Sequence, residues 1–178
     1  MSASHWCGTA TADVAEALLA LGGNVGDVRS TFERALAMLC EDGRVLLKMR
    51  SSDYATPPWG VTEQPPFVNS CVAVETDLAP EALLGLVQGI EQALGRRRAA
   101  ESRWGQRTID IDILTYDDLT LDRPDLRLPH PYLLERAFVL VPLAEIAPDR
   151  VIAGRRLRDA LARLDTTGIS RFPPRAAP

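Results

Sequence analysis

Apolar residues recur every three or four positions through Val28, Phe32, Ala35, Leu36 and Leu39, and this spacing predicts a helix. Asp27 or Ser30 can cap its start, and Gly43 can end it. A second stripe, Leu83, Val87, Ile90 and Leu94, is opened by Pro80 and closed by Gly95, and predicts another helix. Between them the period falls to two. Val45 to Tyr54 reads as a strand, and Phe67 to Glu75 as a second, with Val68, Val72 and Val74 on one face. The connecting stretch, residues 55–66, contains four prolines and Trp59, which fixes much of its backbone without a regular ladder. Val14 to Leu21 is apolar and alanine-rich, so propensity allows a helix as readily as a strand; Gly22 to Asp27 then marks a turn.

In the second half of the chain, Ile109, Ile111 and Ile113 alternate with Asp110 and Asp112, which predicts a strand with the isoleucines on one face and both aspartates on the other. Asp117-Asp118 suggests a turn into a short return strand at Leu119 to Leu121. Phe138 to Leu143 reads as an apolar strand, and Leu157, Leu161 and Leu164 suggest a last short helix. Helix and strand patterns are interleaved with a long hairpin. The expectation is an α+β sandwich of two or three layers on a mainly antiparallel sheet. It forms one domain over residues 13–165, with 1–12 and 166–178 as terminal extensions.

A length of 178 residues, 46% hydrophobic and 25% charged, suits one domain with a sizeable core. The net charge of −4 argues against a general nucleic-acid or anionic-membrane role, so any anion site must be local. Of twenty basic residues, Lys48 is the single lysine, which leaves a phosphate-binding lysine almost no candidate. Cys7, Cys40 and Cys71 are odd in number and widely spaced, which fits buried thiols in a reducing compartment better than a disulfide framework or a zinc site. No apolar run approaches the ~20 residues of a membrane span, and the expected location is the cytoplasm.

The aspartate strand carries the chemistry. Carboxylates two residues apart on a strand lie roughly 6 to 7 Å apart at the backbone, close enough to share two magnesium ions about 4 Å apart. Arg103 and Arg107, just upstream, suit a polyphosphate held by such ions. The same alternation also describes the solvated face of an ordinary amphipathic strand. Gly22 to Asp27 lacks the terminal lysine of a P-loop and is not Gly-x-Gly-x-x-Gly, so it reads as a tight turn.

Six segments in order carry a more specific pattern: Leu21-Gly-Gly-Asn-Val-Gly-Asp27, Thr56-Pro-Pro-Trp-Gly60, Phe67-Val-Asn69, Arg103-Trp-Gly-Gln-Arg-Thr-Ile-Asp-Ile-Asp112, Leu128-Pro-His130 and Arg136-Ala-Phe-Val-Leu-Val-Pro-Leu143. Together, over roughly Ala15 to Asp149, the chain resembles the 6-hydroxymethyl-7,8-dihydropterin pyrophosphokinases. That resemblance implies a ferredoxin-like fold, with Val14 to Leu21 a strand, and the transfer of pyrophosphate from ATP to the pterin hydroxymethyl oxygen with release of AMP, a step toward folate. It implies Asp110 and Asp112 as ligands of two Mg2+ ions. It also implies Arg96, Arg98, Arg103 and Arg107 as catalytic arginines closing on the phosphates. Gln88, Glu91, Trp104, Ile113, His130, Tyr132 and Arg136 match ATP-side positions. Thr56, Pro57, Trp59, Phe67, Asn69 and Phe138 match the pterin pocket, with the two phenylalanines able to sandwich the flat ring and the Asn69 amide able to read its edge.

Two rival readings remain open at this stage. A two-metal phosphohydrolase would use the aspartates equally well but would not need the pocket from Thr56 to Asn69. A non-catalytic binding module on the same fold would have no reason to keep the aspartates and arginines together. The expected partners are ATP and the pterin, with no nucleic acid and no membrane, acting on a monomer.

Overall fold

The computed structural model describes residues 14–58, 64–96 and 105–173. In chain order the elements are β1 (Ala15–Gly23), α1 (Val28–Leu39), β2 (Val45–Arg50), β3 (Tyr54–Thr56), β4 (Phe67–Thr76), α2 (Pro80–Ala93), β5 (Asp110–Tyr116), β6 (Leu121–Asp122) and β7 (Arg127–Leu128). A single 3-10 turn (Leu133–Glu135) leads into α3 (Ala137–Ile146), β8 (Val151–Ile152), β9 (Arg155–Arg156), α4 (Leu157–Leu161) and β10 (Ser170–Arg171). The main sheet runs β10-β3-β4-β1-β5, with β2 also paired to β4, and every pairing is antiparallel.

Helices cover both faces. On one side α1 and α2 bury Phe32, Leu36, Leu39, Leu83, Val87 and Ile90 against Leu19, Leu21, Val72, Val74, Ile111 and Ile113. On the other, α3 and α4 bring Leu140, Leu143, Ile146 and Leu157 onto Leu18, Cys71, Ala73 and Leu114. The result is a ferredoxin-like α+β sandwich with a third, helical layer. Strand β1 lies between two strands and two helical layers, so it must be apolar on both faces. This is why its sequence shows no period of two, and it is a strand.

Local chemistry sets the helix ends. Asp27 is the cap of α1, its carboxylate accepting from the Ser30 backbone N–H at 3.0 Å and from the Ser30 hydroxyl at 2.7 Å. Pro80 occupies the first turn of α2, and Gly95, at φ +94°, follows its last residues in the left-handed conformation that favours glycine.

Four expectations are corrected. Phe138 to Leu143 lies inside helix α3, which is apolar nearly all round because β4, β3, α4 and the 3-10 turn enclose it. The strand expected over Val45 to Tyr54 is broken at residues 51–53, where the edge of β4 passes from β2 to β3. Leu121 does not return along β5 but pairs with Leu128 in a small separate ribbon. The stretch from residue 166, read as an extension, contributes β10 to the main sheet: Ser170 and Arg171 pair with Ala55 and Tyr54. The Phe172 N–H reaches the Asp53 carbonyl at 2.9 Å, and the Arg29 guanidinium lies 5.3 Å from the Phe172 ring. Among the described residues no helix is long and apolar enough to cross a membrane.

Candidate active site

The cleft that gathers most of the expected residues opens on the α3 side of the sheet, where three strands end together. Register places Asn69 of β4, Gly22 of β1 and Asp110 of β5 side by side, with Cys71, Ala20 and Asp112 two residues further along. At 4.7–4.9 Å between neighbouring strands, Asn69 and Asp110 are about 10 Å apart at the backbone. Gly22 between them has no side chain, and a Cβ there would come within 3.0 Å of Asn69 Oδ1. Small residues at 20 and 22 thus form the floor of a cleft lined by Thr56, Pro57, Phe67, Asn69, Arg107, Asp110, Asp112, Arg136 and Phe138.

One end of this cleft is aromatic. Phe67 and Phe138 both line it, from the start of β4 and the first turn of α3. Phe138 had a ready explanation as strand core; placed in a helix it faces the opening instead. Asn69 and Thr56 are buried, and Asn69 Nδ2 donates to Thr56 Oγ1 at 2.7 Å. The amide is thereby oriented, with its Oδ1 turned toward the floor as an acceptor.

The other end is ionic. On β5, Asp110 and Asp112 face the cleft while Ile109, Ile111 and Ile113 enter the core beneath α1 and α2. The Ile113 side chain therefore points away from the aspartates. Asp110 is held by two guanidiniums, Arg96 and Arg107, and these charges bring its carboxyl below the usual carboxylate range against the opposing effect of burial. Asp112 goes the other way. Burial, and then the neighbouring Asp110 charge, push it up to about 7, with Arg136 pulling in the opposite direction.

Glu91 does not line the cleft. It is fully buried, accepts the Ile111 N–H at 2.7 Å and holds Arg96 Nη1 at 2.5 Å, so it fixes the start of β5 and aims Arg96 at Asp110. Gln88 lies half-buried on α2, on the opposite side of the sheet from Asp110 and Asp112. β5 is the last strand of its sheet; it packs against α2, and its Leu114 carbonyl accepts the His130 N–H at 2.8 Å, which starts the segment leading to Arg136. There the Arg136 guanidinium packs 4.9 Å from the Tyr132 ring and 5.7 Å from the Phe138 ring. His130 Nδ1 accepts the Tyr132 N–H at 3.3 Å, which leaves Nε2 to carry the proton of a neutral ring. Burial and the nearby Arg136 push its pKa down to about 4. Trp59, Arg98, Arg103 and Trp104 lie outside the described residues.

Sequence reading missed Asn24. It is buried in the turn after β1 and bonded to residues 40, 41 and 83 positions away, through Gln64 Oε1, the Pro65 carbonyl and the Arg107 backbone. Its sequence signals were an amide inside a glycine turn and its place in the segment Leu21 to Asp27.

A cleft with an aromatic, amide-edged end and a carboxylate pair beside guanidiniums at the other, on a ferredoxin-like sheet, has the make-up of an enzyme site. The sequence signature described as 7,8-dihydro-6-hydroxymethylpterin-pyrophosphokinase (HPPK) matches residues 18–148. The chain is 50% identical over 155 residues to the 2-amino-4-hydroxy-6-hydroxymethyldihydropteridine pyrophosphokinase of Methylorubrum extorquens, covering 87% of this chain and 97% of that one. It is 42% identical over 156 residues to the Pseudomonas aeruginosa protein of the same name, covering 87% and 95%. The chain belongs to the 7,8-dihydro-6-hydroxymethylpterin-pyrophosphokinase family, whose members are ATP-dependent diphosphokinases.

Solved structures share the fold. A crystal structure of an HPPK-DHPS in complex with substrates superposes with a TM-score of 0.66 at 16% identity over 83% of this chain. Wild-type Plasmodium falciparum HPPK-DHPS with pteroate gives 0.65 at 17% identity over 84%. This chain spans 42% of each of those longer chains.

Proposed function

We propose that this cleft is where the chain transfers pyrophosphate from ATP to the hydroxymethyl group of 6-hydroxymethyl-7,8-dihydropterin, with the ring between Phe67 and Phe138 and the phosphates over β5. The observation that carries this is the row Asn69, Gly22, Asp110. It sets a ring-reading amide and a phosphate-side carboxylate about two strand spacings apart over a bare floor. A phosphohydrolase needs only the second half of that row, and a binding module needs no carboxylate pair.

The Asn69 acceptor and the Thr56 hydroxyl read the polar edge of the ring, and the phenylalanines enclose its faces. His130 offers a neutral N–H donor toward an ATP-side anion, and Arg136 a fixed charge braced by two aromatic rings. Arg107 stands between the two halves, bonded to Asp110 and 5.8 Å from the Phe67 ring, where a guanidinium can follow a phosphoryl group toward the hydroxymethyl oxygen. Most of the rate then comes from holding the two substrates in line.

Asp110 and Asp112 fit hard divalent cations: two oxygen donors share one strand face, and Asp112 is pushed toward the neutral form where its own neighbour is an anion, an environment that calls for positive charge. Two Mg2+ ions held there would screen the phosphate charge and lower the pKa of the attacking hydroxyl.

The test is incubation with ATP, magnesium and the hydroxymethyl pterin. AMP formed only when the pterin is present supports this reading; inorganic phosphate released without pterin would replace it with hydrolysis.

A further inference from the structure

Asn24 touches neither the carboxylate pair nor the ring slot, yet it joins the backbone behind each. Its Oδ1 accepts the Arg107 N–H at 2.9 Å, and its own backbone N–H donates to the Arg107 carbonyl at 2.9 Å, a carbonyl also reached by the Val25 N–H at 3.2 Å. Both polar groups of the Arg107 peptide are therefore held from one residue. The other half of the same amide, Nδ2, donates to Gln64 Oε1 and to the Pro65 carbonyl, each at 3.2 Å. Pro65 is two residues ahead of Phe67, and Arg107 is three ahead of Asp110.

One planar amide thus links the ring wall to the phosphate arm. Asparagine suits the position because its side chain both donates and accepts. Asn24 is only 7% exposed, which makes the bonds unfavourable to exchange for water. The neighbouring residue strengthens the junction: Gly23 lies so close to residue 108 that a Cβ there would come within 2.6 Å of the Thr108 carbonyl oxygen. The turn after β1 is pressed against the segment leading to Asp110.

We propose that Asn24 is a positioning residue that sets the distance between Phe67 and Arg107, and through it the alignment of the transferring group with the pterin hydroxyl. This rests on the placement of ring and phosphates given above. Asn24 acts through Arg107, so its effect belongs to the chemical step more than to binding of either substrate.

The experiment is a double-mutant cycle in the full-length protein with ATP, magnesium and the hydroxymethyl pterin. Asn24→Ala is expected to lower kcat at least tenfold in the wild-type background while shifting either KM less than threefold. In the Arg107→Ala background the same change is expected to lower kcat less than twofold. Equal losses in both backgrounds, or wild-type turnover in Asn24→Ala, would overturn the proposal. Calorimetric titration with a non-hydrolysable ATP analogue counts binding-competent chains, so loss of folded enzyme is separated from loss of kcat. Should Asn24→Ala not fold, Asn24→Asp replaces it: an acceptor for the Arg107 N–H is kept and the donor to Pro65 is lost. The same non-additive pattern is expected at about threefold, and additive losses again overturn the proposal. Near-normal turnover in Arg107→Ala alone would discard the assignment of Arg107 instead, leaving the two failures distinguishable.

Discussion

Arg107 forms an ion pair with Asp110, three residues further along the chain, at the ionic end of the cleft. Arg107 takes one carboxylate oxygen and Arg96 the other, so on the function proposed above Arg107 would have to change partner for a cation to reach Asp110. Arg107→Ala is expected to lower kcat about a hundredfold or more, the usual loss when one charge-stabilising donor is removed, with a smaller effect on pterin KM. Steady-state AMP formation measures it, and a kcat within threefold of wild type would remove Arg107 from the transfer.

Asp112 gives a pH signature. Its folded-state pKa, about 7, is above the ordinary carboxylate value, so the fold prefers the protonated form. From pH 4 upward this preference becomes a growing penalty, complete once pH passes 7. Asp112→Asn is therefore expected to raise the thermal midpoint at pH 8 and leave it nearly unchanged at pH 4, while abolishing turnover at both. Scanning calorimetry at the two pH values checks it; a midpoint gain that is equal or larger at pH 4 would contradict the assignment.

Asn69→Ala removes the oriented acceptor of the ring slot and leaves the Thr56 hydroxyl without its donor. Pterin KM is expected to rise about tenfold, the equivalent of roughly 1.4 kcal/mol, with ATP KM within twofold. Initial-rate kinetics with each substrate varied in turn would show it, and a matched rise in both constants would not fit a ring-specific role.

Gly23→Ala should be destabilising because the new methyl group meets a backbone oxygen that cannot rotate away. The expected loss is about 1–3 kcal/mol in urea unfolding. Turnover should fall as well, since Thr108 would have to move and Arg107 precedes it. Unchanged stability would show that the junction can open without cost.

The regular helices and the aspartate strand were legible because their burial is one-sided: α1, α2 and β5 each show a period that sequence preserves. Strand β1 and helix α3 are enclosed on nearly every side, and enclosure erases the period, which is why one was ambiguous and the other was read as a strand. The placement of close neighbours was equally legible. Asp110 and Asp112 stand two residues apart, and β5 sets them on one face of the cleft. Roles that depend on distant pairing were not. The bonds of Glu91 to Ile111 and Arg96 arise from packing and left no trace in the sequence. Asn24 passed as a turn residue because its partners lie on other parts of the chain.

Strand β10 comes late in synthesis, about a hundred residues after the strands around the ring slot. Until residues 170–173 have left the ribosome, the outer edge of β3 has no partner and Arg29 no ring to cover. A nascent chain that has already built its central sheet would still carry an open strand edge beside Thr56. The edge of β3 next to Thr56 is therefore among the last parts of the main sheet to be paired.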